Sequence, residues 1–200
     1  MKKILLCLIL ISLPAILPAW TGNWDEIKKG TTGIKSVSSD FIQRKYIKML
    51  AKPVYAEGSF KFQIPDSLRW EYKSPDKSII INSGGIIRRY SFSDGKFRED
   101  KGGSIQAMQF VFQEIAKWLK GDFNSGKDFV PELVPGVKII FKPRSSSLSQ
   151  YIKSIELVFA DRPGIIKQVI IIESEKSRTV MEFVNPVINQ KIDEKFFSEI

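Results

Sequence analysis

The feature that most limits how this chain can fold is the alternation of apolar and polar residues over residues 58–73. Successive side chains of a β-strand leave opposite faces, so a period of two predicts strands with one apolar face. A turn near Asp66 separates two such arms, and aromatic residues occupy the apolar face of both. That face carries Phe60, Phe62, Ile64, Leu68, Trp70 and Tyr72. The segment is therefore predicted to form an antiparallel hairpin with one aromatic face.

A turn centred on Asp66 also predicts the register of this hairpin. The expected cross-strand pairs are Phe62 with Trp70, Phe60 with Tyr72, and Lys61 with Glu71. The first two pairs share the apolar face, and the third lies on the polar face.

Similar patterns recur along most of the chain. Asn23 or Asp25 can cap a short helix, and about ten strands follow in sequential hairpins. From Ile105 the apolar period becomes that of a helix, which ends at Gly121. Later strands are predicted over residues 137–141, 152–159, 165–172 and 178–184, and a last helical turn over residues 193–197. We expect a mainly β, α+β fold in which two helices cover a curved antiparallel sheet.

The first residues are typical of a secretory signal peptide. A basic start precedes an apolar run over residues 4–11, which is too short to span a bilayer, and Ala19 suits a cleavage site. We therefore expect a signal peptide over residues 1–19 and a single domain over residues 20–200. A retained membrane anchor is the alternative, and two prolines within the segment disfavour it.

The chain is basic, with a formal charge of +9 that falls to +7 if Lys2 and Lys3 leave with the signal peptide. This charge favours encounters with anionic membranes or acidic protein surfaces. The basic residues are spread along the chain, and an exported protein rarely meets nucleic acid, so we predict no nucleic-acid partner.

Histidine is absent from the chain, and its one cysteine, Cys7, lies within the predicted signal peptide. Catalytic triads, cysteine nucleophiles, histidine bases and the common zinc sites all need these residues. Asp94, Glu99 and Asp100 offer carboxylates, but charges in and beside a turn are normally solvated. We therefore predict no enzymatic activity, no metal site and no cofactor.

The apolar inventory includes 14 phenylalanines and four tryptophans. An ordinary core explains any one of them. Their collection on a curved sheet beneath apolar helices also suits a closable cavity for acyl chains, since each buried methylene contributes about 0.8 kcal/mol.

Several motifs are more specific than the alternation. They are Val-Ser-Ser-Asp-Phe-Ile-Gln over residues 37–43, Gly-Ser-Phe over residues 58–60, Pro-Asp-Ser-Leu-Arg-Trp-Glu-Tyr over residues 65–72, Ile-Ile-Ile over residues 79–81, and the later Lys142-Pro143, Thr179, Phe183 and Asn185. This combination resembles the LolA family of periplasmic outer-membrane lipoprotein carriers over nearly the whole exported chain. The resemblance implies an incomplete, half β-barrel with a helical lid over a hydrophobic cavity.

The same resemblance implies a periplasmic, monomeric carrier of lipidated proteins. It would take their acyl chains from an inner-membrane ABC transporter and hand them to an outer-membrane acceptor. The predicted cavity residues are Phe41, Phe60, Phe62, Leu68, Trp70, Tyr72, Ile79, Ile81 and Phe92. The predicted lid residues are Met108, Val111, Phe112 and Ile115.

One position departs from the family pattern. Ile64 stands before Pro65, where well-known carriers have an arginine that helps to hold the lid closed. This difference leaves room for a LolA-like carrier of another lipid or glycolipid. A sensor of envelope stress is a further alternative, although 200 residues leave little room for a signalling domain.

Overall fold

One antiparallel sheet of eleven strands forms the body of the protein. The computed structural model describes residues 23–100, 114–135, 138–162 and 164–200. The strands are β1 (Ser36–Tyr46), β2 (Val54–Gln63), β3 (Ser67–Ser74), β4 (Ser78–Ser83), β5 (Ile86–Ser93), β6 (Lys96–Glu99), β7 (Phe129–Val134), β8 (Lys138–Pro143), β9 (Ser154–Phe159), β10 (Ile166–Ser174) and β11 (Ser177–Ile188). Their order is β6-β5-β4-β3-β2-β1-β11-β10-β9-β8-β7. Because β6 and β7 lie at opposite edges, the sheet is not closed into a barrel, as the resemblance to the LolA family implied.

The strand β7 is missing from the sequence prediction, which counted about ten strands. Pro131 lies within β7, and proline favours a loop because it cannot donate to a sheet ladder. It is tolerated here because β7 is an edge strand, where Pro131 pairs with Phe141 of β8.

The β2–β3 hairpin has the predicted faces but a different register. Gln63 pairs with Ser67, so the turn centres on Pro65 rather than Asp66. The observed pairs are Phe60 with Trp70, Phe62 with Leu68, and Lys61 with Arg69. The predicted pairs are therefore wrong by two residues. Each side chain keeps its predicted face, because the side-chain period of a strand is also two.

Short helices accompany the sheet: α1 (Trp24–Thr31), α2 with residues 114–119 described, α3 (Ser146–Ser149), and a 3-10 helix (Glu194–Phe197). Asn23 caps α1 by accepting a hydrogen bond from the backbone N–H of Glu26 at 2.8 Å. Gly121 follows α2 with a φ of +79°, a conformation that glycine adopts without strain. Both boundaries and the final helical turn confirm the sequence prediction.

The main apolar core lies on the face that α1 and α2 cover, which we call the inner face. It joins Ile27 of α1 and Trp118 of α2 to residues of the sheet. A smaller cluster lies on the outer face and consists of Ile79, Ile81 and Tyr90, with Phe97 packed against it. The C-terminal segment contacts the outer face through Arg69, which donates to the backbone oxygens of Phe196 and Glu199 at 3.1 and 2.7 Å.

Within the described ranges, no helix combines the length and the apolar character needed to cross a lipid bilayer.

Candidate ligand-binding cavity

A cluster of aromatic rings covers the middle of the inner face. Phe41 packs on Trp70 and Tyr72 with ring centroids 4.6 and 5.2 Å apart. Phe60 lies 5.3 Å from Trp70 and 5.8 Å from Phe183, and Phe183 lies 5.9 Å from Trp70. All five ring pairs are tilted or edge-on, the geometry that aromatic quadrupoles favour. The strand register brings these rings together, since Phe60 directly faces Trp70 across the hairpin.

Gly58 leaves space for the Phe41 ring. It pairs with Phe41 across β1 and β2, and a Cβ at Gly58 would lie 2.6 Å from Cζ of that ring. The same Cβ would lie 1.9 Å from the backbone oxygen of Glu71. The absence of a side chain at Gly58 therefore allows the ring to lie over β2.

Tyr72 provides the polar group at one side of this cluster. Its hydroxyl donates to Oε1 of Gln43 at 2.9 Å. Burial raises the pKa of Tyr72 to about 12, although a hydrogen bond with Trp70 and the charge of Arg89 act in the opposite direction. The hydroxyl thus stays protonated at physiological pH and adds no charge to the inner face.

The helix α2 packs against the sheet as a lid. The Trp118 ring stacks on Phe141 of β8, with centroids 4.4 Å apart and an interplanar angle of 27°. Beyond the helix, Nζ of Lys120 forms an exposed ion pair with the carboxylate of Asp66 in the β2–β3 turn. Among the described residues, a buried aromatic stack and an ion pair at the surface therefore link the lid to the sheet.

A cavity of about 40 Å³ lies between α2 and the sheet. The side chains and backbone that surround it come from α2, the start of β1, β2, the β9–β10 connection, β10 and β11. The described lining residues are Ile34, Val37, Ser39, Phe60, Ile115, Trp118, Leu119, Gly164, Ile165, Ile166, Val169, Phe183, Pro186 and Ile188.

The lining is almost entirely apolar. Its described residues include no charged side chain, and Ser39 donates its hydroxyl to the backbone oxygen of Val184 at 2.7 Å. The lining therefore offers dispersion contacts and burial of apolar surface, the interactions that hold hydrocarbon.

Most of the predicted cavity residues share this inner face. Phe60 lines the cavity itself, as does Ile115 of the predicted lid. The others belong to the adjoining core and are Phe41, Phe62, Leu68, Trp70 and Tyr72. Met108, Val111 and Phe112 of the predicted lid lie outside the described residues.

The structure does not bring Ile79, Ile81 and Phe92 to the cavity. Ile79 and Ile81 lie in the outer-face cluster, and Ile80 is the β4 residue that faces Trp70 on the inner face. Phe92 is 42% exposed and pairs with Phe97, which packs against the same outer cluster. For Ile79 and Ile81 the physical reason is that β4 is buried on both faces, so its run of isoleucines carries no alternation.

Several lining residues were missing from the predicted cavity. Trp118 and Leu119 share the apolar helix face that the sequence shows, so they could have been included. Val169, Phe183 and Ile188 lie on β10 and β11, more than a hundred residues after Phe60 in the chain. No local pattern signals that these strands meet β1 and β2 at the cavity.

Comparison with known proteins agrees with this architecture. The family model described as outer membrane lipoprotein carrier protein LolA matches residues 32–199. The chain belongs to the LolA family. The assignment to LolA that the sequence motifs predicted is therefore confirmed.

Relatives of this LolA-family chain are distant in sequence. An outer-membrane lipoprotein carrier protein of Pseudoalteromonas translucida is 18% identical over 98% of this chain and 92% of its own length. A protein with the same description from Cronobacter sakazakii is 22% identical over 90% of this chain and 84% of its own length. A solved structure of a DUF1329 family protein from Desulfovibrio piger matches with a TM-score of 0.52 at 13% identity, covering 88% of this chain and 95% of that chain. The structural likeness concerns the fold alone.

Proposed function

We propose that the protein is a periplasmic carrier that binds the acyl chains of lipoproteins between α2 and the sheet. This proposal rests on the apolar lining of the cavity, whose described residues include no charged side chain. Such a lining binds hydrocarbon at about 0.8 kcal/mol per buried methylene and needs no covalent step. Membership of the LolA family, with relatives described as lipoprotein carriers, supports lipoproteins as the cargo.

The cavity must enlarge to accept an acyl chain. Its volume of about 40 Å³ has room for a few water molecules, whereas ligand pockets measure about 300–1,000 Å³. The lid is the element we expect to move, because α2 supplies Ile115, Trp118 and Leu119 to one side of the cavity. Its displacement would open a continuous apolar surface on β1, β2, β10 and β11.

The ion pair between Lys120 and Asp66 suits a lid that opens and closes. It joins the lid to the same turn in which Ile64 replaces the family arginine. Exposed ion pairs contribute at most about 1 kcal/mol, so an acceptor can displace this one at little cost. The turn therefore keeps a polar contact with the lid despite the isoleucine, which is itself 42% exposed.

We further propose that an inner-membrane ABC transporter supplies the cargo and that an outer-membrane acceptor receives it. Release requires an acceptor with a better apolar site, since a carrier that bound too tightly would retain its cargo. Export to the periplasm rests on the signal peptide predicted over residues 1–19, which lie outside the described residues.

Mass spectrometry of lipid extracted from the purified protein tests the nature of the cargo. We expect peptides with acylated N-terminal residues. Free phospholipid or glycolipid without such peptides would instead support a carrier of another lipid. The absence of acyl species, in protein from cells that make abundant lipoproteins, would contradict both proposals.

The substitution Leu119→Gln tests the cavity. Leu119 is partly buried and lines the cavity, so an amide there loses its water when an acyl chain enters. An unpaired buried amide costs about 1–3 kcal/mol, so we expect a fluorescent fatty acid to bind about 5- to 150-fold more weakly in a titration.

The matched control is Leu148→Gln. Leu148 is also partly buried against the same core, but it does not line the cavity. We expect it to leave fatty-acid binding unchanged. Equal losses in the two variants would show that the effect comes from the core and not from the cavity.

A further inference from the structure

The tip of the β1–β2 hairpin presents large apolar side chains to solvent. We call residues 47–55 the β1–β2 tip. Met49 is 90% exposed, and Leu50, Val54 and Tyr55 are 51%, 44% and 59% exposed. The backbone N–H of Leu50 donates to the oxygen of Ile47 at 2.9 Å, so this exposure belongs to a hydrogen-bonded turn. A concentration of exposed apolar residues marks an interaction site.

The same tip is basic. No acidic residue occurs between Asp40 and Glu57, whereas this interval contains Arg44, Lys45, Lys48 and Lys52. Arg44 pairs with Glu182 at 3.0 Å, and Lys45 pairs with Glu173 at 3.5 Å. Lys48 and Lys52, which flank Met49 and Leu50, are exposed and form no ion pair with any described residue. The adjacent β10–β11 turn adds one charge of each sign, from Glu175 and Lys176.

We propose that the β1–β2 tip docks on an anionic lipid bilayer. Met49 and Leu50 enter the boundary between headgroups and acyl chains, while Lys48 and Lys52 keep their ammonium groups among the lipid phosphates. Tyr55 lies at the base of the tip, and amphipathic rings favour this interfacial zone. Anionic lipids attract the two lysines, and burial of the two apolar side chains adds to that attraction.

The small size of the tip favours a bilayer over a protein partner. A stable protein interface buries about 800 Å² on each side, contributed by about 20–30 residues. The tip offers nine residues, from position 47 to position 55. Insertion into a bilayer needs few side chains, because the lipid adapts its shape around them.

The tip and the cavity lie at opposite ends of β1. Val37 and Ser39 line the cavity near the start of the strand, and the tip begins after Tyr46 at its end. At about 3.3 Å per residue, Ser39 and Ile47 are about 25 Å apart. Docking through the tip therefore leaves the cavity uncovered. Membrane docking and acyl-chain binding can for this reason be tested independently.

Flotation with vesicles tests the docking, using protein purified after export from a bacterial host. We expect binding to vesicles of phosphatidylcholine with phosphatidylglycerol, weaker binding to phosphatidylcholine alone, and weaker binding at high salt. Combining Met49→Ser with Leu50→Ser should weaken binding at least about tenfold. Combining Lys48→Gln with Lys52→Gln should weaken it about fivefold per lysine on the anionic vesicles.

Matched controls change similar residues elsewhere on the surface. Ile86→Ser combined with Tyr151→Ser removes apolar groups that are 61% and 70% exposed. Lys96→Gln combined with Lys167→Gln removes two exposed positive charges. Both controls should keep wild-type binding, and so should the cavity variant Leu119→Gln.

A fluorescent probe attached to the tip gives a second measurement. It remains informative even if the Met49→Ser, Leu50→Ser variant does not fold. Cys7 lies in the predicted signal peptide and is the chain's one cysteine, so Met49→Cys can be labelled selectively with an environment-sensitive fluorophore. Its emission should shift to the blue when anionic vesicles are added, and that of labelled Tyr151→Cys should not.

Three results would overturn the proposal. They are the absence of vesicle binding by the wild type, equal losses in tip and control variants, and unchanged emission from the labelled tip. In the first case, binding of the wild type to immobilised polyglutamate would point to an acidic protein as the partner.

Discussion

Replacing Gly58 by alanine should lower the free energy of unfolding by about 3–5 kcal/mol. The reason is that a side chain at position 58 would clash with the β3 backbone and with the Phe41 ring. The alanine Cβ would lie 1.9 Å from the backbone oxygen of Glu71, whereas real Cβ contacts are essentially never shorter than 3.0 Å. Separating β2 from β3 to relieve this clash weakens the neighbouring backbone hydrogen bonds, at about 1 kcal/mol for each of two bonds. Displacing the Phe41 ring adds about 1–3 kcal/mol.

Urea unfolding followed by circular dichroism measures this loss. The control is Gly84→Ala, since Gly84 has a φ of +59° and a Cβ at that position would meet no atom within 4 Å. We expect that control to cost about 1 kcal/mol, from the left-handed backbone alone. In a double-mutant cycle, Phe41→Leu should recover only the part due to the ring, about 1–3 kcal/mol, since it relieves the ring contact but leaves the Glu71 oxygen in place. A Gly58→Ala cost no larger than that of Gly84→Ala would refute the reasoning.

Two further predictions concern the lid and the aromatic cluster. Lys120→Glu should speed the release of a fluorescent fatty acid by up to about fivefold in stopped-flow measurements, and adding Asp66→Lys should restore the wild-type rate. A double variant that releases as fast as the single one would argue against the ion pair as a latch. The raised pKa of Tyr72, about 12 in the folded protein against about 10 unfolded, stabilises the fold below pH 10. This contribution should fall by up to about 3 kcal/mol as the pH rises from about 10 to 12, measured as the difference in urea stability between the wild type and Tyr72→Phe. A constant difference across that window would contradict the assignment.

The sequence predicts which face of the sheet each side chain occupies only where one face of a strand is more polar than the other. Phe60, Phe62, Leu68 and Trp70 are all buried on the predicted face. The prediction did not hold for β4, where residues 78–82 are all buried. A strand covered on both sides shows no polar alternation, so its sequence cannot tell which isoleucine faces the lid.

The register of the β2–β3 hairpin shows a second limit. Turn residues indicate that the chain reverses near Pro65 and Asp66, but the pairing depends on which backbone groups close the turn. A shift of two residues keeps every side chain on its face, so the hydrophobic pattern cannot detect it. The shift matters for the site, because it places Phe60 rather than Phe62 opposite Trp70.

The sequence by itself determined that this chain forms an antiparallel sheet with one aromatic face, because alternation follows from the covalent geometry of a strand. Its motifs also identified the LolA family. The tertiary structure decided where the cavity lies. Val169, Phe183 and Ile188 reach the cavity because β11 pairs with β1, and that pairing is a long-range contact without a local signal. It also decided that the outer face of β4 is core rather than cavity, since burial depends on what packs against a surface.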